Sequence, residues 1–276
     1  MICYRHPGRE AYVRCQRCEQ IICPECQVEA SVGFLCPDCA GGTPDQLAAK
    51  RRKQQRLAAG KGQSAVTSAL ISTNVVAYLL QILPGSIFTT LFAFTPYYFW
   101  LEPWRAVTSG FLHSPSNPLH LILNMVSLFI FGRVLEPMLG RLKFTLLYLL
   151  SIVGASVAVV WFSNPLAMTL GASGGVFGLM GAYFVILRRL GNRDQQILVV
   201  IAINLGFGFL MPGVSWQAHI GGLIAGALVA WVLAGNKFFK QKTQAYLGLL
   251  AIFTFLIVLA YAGLEVNVFP QLMVSN

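Results

Sequence analysis

The chain has 276 residues, of which 56% are apolar and only 11% are charged, and its mean hydropathy is +0.64. Because about a quarter of the residues in a soluble domain are charged, this composition excludes an ordinary soluble enzyme. The net charge of +10 would suit a nucleic-acid partner, but the distribution of the basic residues along the chain indicates a membrane protein instead.

The first forty residues contain all seven cysteines and one of the four histidines, arranged as four pairs with two residues between the members. The pairs are Cys3 and His6, Cys15 and Cys18, Cys23 and Cys26, and Cys36 and Cys39. Such a gap lets both members of a pair bind one metal, and zinc takes four nitrogen or sulfur ligands tetrahedrally. The pattern predicts two structural zinc ions in a small domain formed by residues 1–42.

Disulfide bonds are the alternative, but the number of cysteines is odd. The distribution of basic residues, described below, also predicts that this segment lies in the reducing cytoplasm. Spacing alone leaves open which pairs share a metal. It resembles the B-box type of zinc module, which implies alternate pairing, and two sequential sites are the other arrangement. The alternate arrangement gives one site from Cys3, His6, Cys23 and Cys26, and the other from Cys15, Cys18, Cys36 and Cys39. We expect this domain to bind a cytoplasmic partner that the sequence does not identify.

A basic linker, residues 43–63, follows the cysteines and is expected to contain a short helix around Asp45–Ala58. Seven apolar stretches then predict seven transmembrane helices, of which the fourth and fifth are short. Their expected ranges are Val66–Leu83, Leu119–Met138, Phe144–Phe162, Ser173–Leu187, Ile197–Met211, Trp216–Leu233 and Ala245–Ala262. The fold class is thus an all-α polytopic membrane protein, with a membrane domain over residues 64–263 and a short tail over 264–276.

The basic residues predict the orientation in the membrane. Ten of the twenty Lys and Arg precede the first stretch, and nine more flank or occupy the connections after the second, fourth and sixth. Only Arg105 lies in the other set of connections. The positive-inside rule therefore predicts a cytoplasmic N-terminus and an outer C-terminus. We expect the membrane to be a bacterial plasma membrane. The basic linker can also contact anionic lipid, and no nucleic-acid partner is expected.

Four polar residues are expected to meet near the outer face of the membrane. The second, fourth and sixth stretches all begin there, and their first turns carry His120 and Asn124, Ser173, and His219. Polar groups inside a membrane are unfavourable and usually serve a function. This set supplies a hydroxyl, an imidazole base and neutral hydrogen-bond donors, which are the groups that acyl transfer requires.

The acidic residues of the membrane part lie away from this cluster, which favours a Ser–His dyad over a triad. They are Glu102, Glu136, Asp194 and Glu265. The segment Gly171-Ala172-Ser173-Gly174-Gly175 matches the G-x-S-x-G pattern of soluble hydrolases, but a loop stands where their preceding strand should be.

Over residues 64–262 the chain resembles the rhomboid family of intramembrane serine proteases. The family's motifs stand in order, as Trp104-Arg105, Phe111-Leu112-His113, His120-x3-Asn124, Gly171-x-Ser173-Gly174, Ala218-His219-x2-Gly222 and Gly226. The resemblance implies a six-helix core in which Ser173 is the nucleophile and His219 the base. It further implies an oxyanion hole formed by Asn124, His120 and the Ser173 N–H, and a loop stabilised by Trp104 and Arg105. The seventh helix and the zinc domain are additions to that core.

The resemblance implies an endopeptidase that cleaves transmembrane proteins near the outer face through an acyl-enzyme, without a catalytic cofactor. Phe177 replaces a tyrosine found in many members, and the long spacing from His113 to His120 leaves the role of His113 open. Gly222 and Gly226 are expected to pack the sixth helix on the fourth, with dimerisation as the alternative. The rival functions are a non-catalytic rhomboid-like protein that binds membrane clients, and a transporter or zinc-regulated scaffold.

Overall fold

The structure is a computed structural model, and it describes residues 1–30, 32–49, 64–191, 195–210, 213–234 and 242–274. The chain divides into two compact units, Met1–Gln63 and Ser64–Asn276. The first unit contains the cysteine pairs, and we call its residues 1–42 the head. The second contains seven long helices, and we call it the bundle.

The described part of the head contains three antiparallel hairpins, a 3-10 turn over Pro24–Cys26 and one α-helical turn. The hairpins pair β1 (Ile2–Cys3) with β2 (His6–Glu10), β3 (Val13–Arg14) with β4 (Ile21–Ile22), and β5 (Val28–Glu29) with β6 (Phe34–Leu35), and the α-helical turn is Pro37–Ala40. Five of its seven buried core residues are cysteines, and the other two are Ala11 and Ile22. So small an apolar core cannot hold a domain of this size without added cross-links.

The linker is described only at its start. Residues 44–49 are helical, where a helix was predicted to begin, and the remainder of the predicted Asp45–Ala58 helix lies outside the described residues.

The bundle contains one long helix for each predicted span, so the all-α polytopic fold is confirmed. The helices are α1 (Ala65–Gln81), α2 (Pro118–Leu139), α3 (Arg141–Phe162), α4 (Ser173–Arg189), α5 (Gln196–Leu210), α6 (Trp216–Leu233) and α7 (Lys242–Gly263). Four described segments are long and apolar enough to cross a membrane, namely Pro118–Leu139, Arg141–Phe162, Trp216–Leu233 and Thr243–Gln271. The predicted short helices α4 and α5 have 17 and 15 residues.

Helix α3 lies at the centre, with 13 of its 22 residues buried against seven of 22 in α2. Beside it, α4 and α6 pack backbone to backbone, because glycines of both helices line the contact between them. A Cβ added at Gly222 would overlap the carbonyl oxygen of Gly174, and one at Gly226 would overlap that of Gly178. The glycines of α6 therefore serve packing inside the bundle, as expected for small residues in membrane helices.

The final helix extends beyond Ala262, the end expected from hydropathy. A π-helical turn, Leu264–Val268, leads into a last helix, Phe269–Val274. In that turn, the Asn267 Nδ2 donates to the carbonyl oxygens of Val160 and Trp161, at 2.8 and 3.1 Å. Those carbonyls belong to the last turn of α3 and have no donor within their own helix. The π turn thus fastens the end of α7 to the end of α3.

Helices α1 and α2 are joined by a buried carboxylate. Glu136, near the end of α2, accepts hydrogen bonds from the Val66 N–H at 2.9 Å and from the Thr67 N–H and hydroxyl at 2.8 and 2.7 Å. A carboxylate is favourable there because the first turn of a helix carries unpaired N–H groups and a partial positive charge. The start of α1 is therefore capped by a side chain of α2.

Candidate active site

Ser173 is the first residue of α4, which begins where the sequence predicted. Gly171, two residues earlier, has a φ of +137°, a conformation that side chains rarely allow, and its N–H donates to the Ser109 carbonyl at 3.0 Å. The residue between them, Ala172, has no polar side chain to cap the helix. Within the described residues no side chain caps the first turn of α4, and N–H groups at a helix N-terminus favour an anion.

His219 lies in the first turn of α6 and is 6% exposed. Its ring stacks on the Phe177 ring, with 4.2 Å between centroids and 19° between planes. Phe177 stands one helical turn after Ser173, and the carbonyl of Ala218 lies 3.7 Å from where a Cβ of Gly174 would be. These contacts bring the imidazole of His219 to the start of α4, and the ring of Phe177 supports it without a tyrosine hydroxyl.

In the part of the chain that the structure describes, the Nδ1 of His219 has no acidic partner. Within the described residues, the Nδ1 is buried without a hydrogen-bond partner. Gly208 of α5 lies against it, because a Cβ there would be 2.9 Å from that nitrogen. A Ser–His–Asp triad would place a carboxylate at this nitrogen, so the geometry favours the predicted dyad.

His120 and Asn124 lie in the first two turns of α2. A Cβ at Gly171 would be 3.1 Å from the His120 Nε2 and 3.6 Å from the Ser173 Oγ, so both side chains border the same glycine. The His120 Nδ1 accepts the Ser114 N–H at 3.5 Å, which leaves the proton of the neutral ring on Nε2. The Asn124 Nδ2 donates one hydrogen to the His120 carbonyl at 2.8 Å and keeps a second.

The described acids of the bundle have other roles or positions. Glu102 forms an ion pair with Arg105, Glu136 caps α1, and Glu265 is exposed in the π turn. Asp194 lies outside the described residues.

The loop before α2 is braced by Arg105, as the family resemblance implied. Its buried guanidinium donates to the carbonyls of Thr90 and Ala93, at 2.5 and 3.2 Å, while Trp104 is 51% exposed. A β-bridge between Phe94 and Thr169 connects this loop to the segment before Ser173. The β-bridge thus holds the segment before Ser173 to the loop before α2, and Arg105 holds that loop in place.

The head brings its ligands into two groups. Cys3, His6, Cys23 and Cys26 form one, and Cys15, Cys18, Cys36 and Cys39 the other, with the ligand atoms of each group within 4.8 Å of one another. This is the alternate pairing that the B-box resemblance implied, and the sequential arrangement is not formed. All seven cysteines are free thiols. The donor sets suit tetrahedral zinc, whose bonds are about 2.0–2.3 Å long.

In each group one cysteine has a lowered pKa, which favours the thiolate that a metal requires. By contrast, burial raises the pKa of Cys26, and the side-chain hydrogen bond with Cys36 raises that of Cys39. Burial raises the pKa of Cys3, but backbone N–H groups of Cys23, Arg5 and His6 outweigh it and lower the pKa to about 6. Opposed contributions of the same kinds lower the pKa of Cys15 to about 6. Each group therefore offers a ready anionic ligand.

Sequence patterns do not single out three residues at or behind the site. Ser114 bonds the His120 ring, and Gly208 lies against His219. Gln81 lies further back, where it bonds the backbone of His113. The one available signal was the polar amide of Gln81 at the end of an apolar helix.

Comparisons with known proteins agree with the motifs. The Rhomboid domain family matches residues 101–236, which include α2 to α6 but neither the head nor α7. The chain is 37% identical over 155 residues to "RHOMBOID-like protein 6, mitochondrial" of Arabidopsis thaliana, covering 52% of this chain and 49% of that protein. It is 35% identical over 202 residues to "Rhomboid protease GluP" of Bacillus subtilis, covering 68% and 38%.

A third relative is covered more completely. The chain is 30% identical over 215 residues to "Rhomboid protease AarA" of Providencia stuartii, covering 64% of this chain and 75% of that protein. By contrast, the chain spans half or less of the first two relatives.

Proposed function

This chain belongs to the rhomboid family of integral membrane proteins, and on that premise we propose that it is an intramembrane serine endopeptidase. Its substrates are transmembrane proteins, cleaved near the outer face of the bilayer. The observation that carries the proposal is that Ser173 and His120 both border Gly171, while His219 stacks on Phe177 one helical turn after Ser173.

The reaction begins when the imidazole of His219 takes the Ser173 proton while the hydroxyl oxygen attacks a peptide carbonyl. The stacked Phe177 ring limits the orientations of His219. His219 then gives the proton to the leaving amine, and water hydrolyses the acyl-enzyme. The dyad needs no cofactor for these steps.

The negative oxygen of the tetrahedral intermediate forms next to several N–H donors. The His120 Nε2–H, the second Asn124 amide hydrogen and the uncapped N–H groups of α4 are its proposed partners. Removal of one donor of this kind typically costs about 10²–10³-fold in rate.

The test is labelling of purified protein with a serine-reactive fluorophosphonate, together with cleavage of a transmembrane test substrate. We expect both signals in the wild type and neither in Ser173→Ala or His219→Ala. Ser68→Ala, at an exposed serine of α1, is the matched control and should behave as wild type. Cleavage that persists in Ser173→Ala would refute the proposal, whereas client binding without any Ser173-dependent cleavage would favour the non-catalytic rival.

We propose further that residues 1–42 are a domain folded by two structural zinc ions, joined by the linker of residues 43–63 to the membrane domain that begins at residue 64. The support is the pair of four-ligand groups and the small apolar core. The basic residues support a cytoplasmic N-terminus and an outer C-terminus. Metal analysis should find two zinc ions per chain, and cysteine accessibility in sealed vesicles tests the orientation.

A further inference from the structure

His113 is a fully buried histidine that the proposed reaction does not use. Its exposed fraction is 0%, and within the described residues neither ring nitrogen has a hydrogen-bond partner. A buried polar group without a partner is unfavourable, so the position should serve some purpose. Since the nitrogens make no hydrogen bond, that purpose must lie in what the ring packs against.

The ring of His113 packs against His120. The two centroids are 5.1 Å apart and the planes meet at 61°, an edge-to-face contact. His219 is supported in a similar way by the stacked ring of Phe177. The imidazoles of His120 and His219 thus each pack against an aromatic ring, and aromatic pairs of this kind favour a defined geometry.

The backbone of His113 is fixed by the end of α1. Its N–H donates to the Gln81 Oε1 and its carbonyl accepts from the Gln81 Nε2, both at 2.9 Å, and Gln81 is buried. Tyr78, one turn earlier, donates its hydroxyl to the Pro115 carbonyl at 3.3 Å. Both neighbours of Ser114 are therefore held, and Ser114 supplies the N–H that bonds the His120 Nδ1.

We propose that His113 and Gln81 are positioning residues that orient the imidazole of His120 toward the oxyanion. This inference rests on the proposed protease function. His113 restricts the tilt of the ring, and Gln81 fixes the backbone that holds the Ser114 N–H against its Nδ1. Together they keep the Nε2–H beside Gly171 and Ser173, although neither residue touches substrate.

The test is a double-mutant cycle between His113→Leu and His120→Ala, with kcat, KM and melting temperature measured for each variant. We expect His113→Leu to lower kcat about tenfold with little change in KM, since small misplacements of catalytic groups can cost up to about 10²-fold. In the His120→Ala background the same change should have no further effect on kcat, because its target is gone.

His113→Phe, which restores a ring, should recover most of the lost activity. Gln81→Glu keeps the acceptor for the His113 N–H but loses the donor, and its effect should also vanish without His120. It provides a second cycle if His113→Leu does not fold. An equal loss of kcat in both backgrounds, or no loss in either, would overturn the inference. Absence of Ser173-dependent cleavage in the wild type would instead overturn the proposed function.

Discussion

The buried core of the head and that of the bundle are built from different residues. In the head, five cysteines form most of a small core, and eight potential ligands gather into two groups. In the bundle, glycines let α4 and α6 touch along their backbones, and the site forms where these helices begin. The head has too small an apolar core to be stable without the cross-links that the proposed metal ions would supply, whereas the geometry of the site depends on helix packing.

The largest expected effect comes from breaking the packing of the bundle. Gly222→Val places a side chain where the Gly174 carbonyl oxygen lies, so α4 and α6 must separate and His219 must move from Ser173. We expect about a 10²-fold loss of cleavage, the size of effect that a displaced catalytic group can produce. Gly206→Val on α5, where a Cβ meets nothing within 4 Å, is the control. Full activity of Gly222→Val would contradict the importance of the glycine contact between α4 and α6.

The second prediction separates the two regions. Cys15→Ser combined with Cys18→Ser removes two ligands from one group, so zinc should fall from two ions to one per chain and the head should become sensitive to protease. Cleavage of substrate in detergent should stay within about twofold of wild type, because the proposed chemistry uses no metal. Metal analysis and the cleavage rate are measured on the same preparation. Complete loss of activity in a folded bundle would show that the regions are coupled.

The smallest expected effect concerns the ring beneath His219. Phe177→Tyr keeps the stacked ring and should change kcat by less than about threefold, whereas Phe177→Leu removes it and should lower kcat about tenfold. The rate ratio of the two variants is the measurement, with melting temperature as the control for folding. Equal rates for tyrosine and leucine would mean that His219 does not rely on aromatic stacking.

Much of the bundle follows from the sequence, because long apolar runs can only be helices in a membrane. The start of α4 at Ser173 was predictable from the loop before it. The helical continuation beyond α7 was not predictable, since Glu265 and Asn267 resemble a polar tail in the sequence. Only the structure shows Asn267 bonding the last carbonyls of α3. Hydropathy does not contain that contact.

The candidate site shows the same division. The alternating directions of the helices predicted which polar residues lie near the same end of the bundle. The support of His120 by His113 and Gln81 was not predictable, because it arises only where the loop before α2 folds back onto the end of α1. Likewise, the equal spacing of the four Cys/His pairs does not show which pairs lie together. The fold of the three hairpins brings alternate pairs together.

The capping of α1 by Glu136 has a consequence for biosynthesis. The carboxylate stands 70 residues after the Val66 amide that it accepts from, so it has not yet been made when α1 leaves the ribosome. Until then the first-turn amides must stay with interfacial water, because hydrocarbon offers them no partner. The antiparallel hairpin of α1 and α2 is therefore the smallest nascent unit in which both the amides and the carboxylate are satisfied.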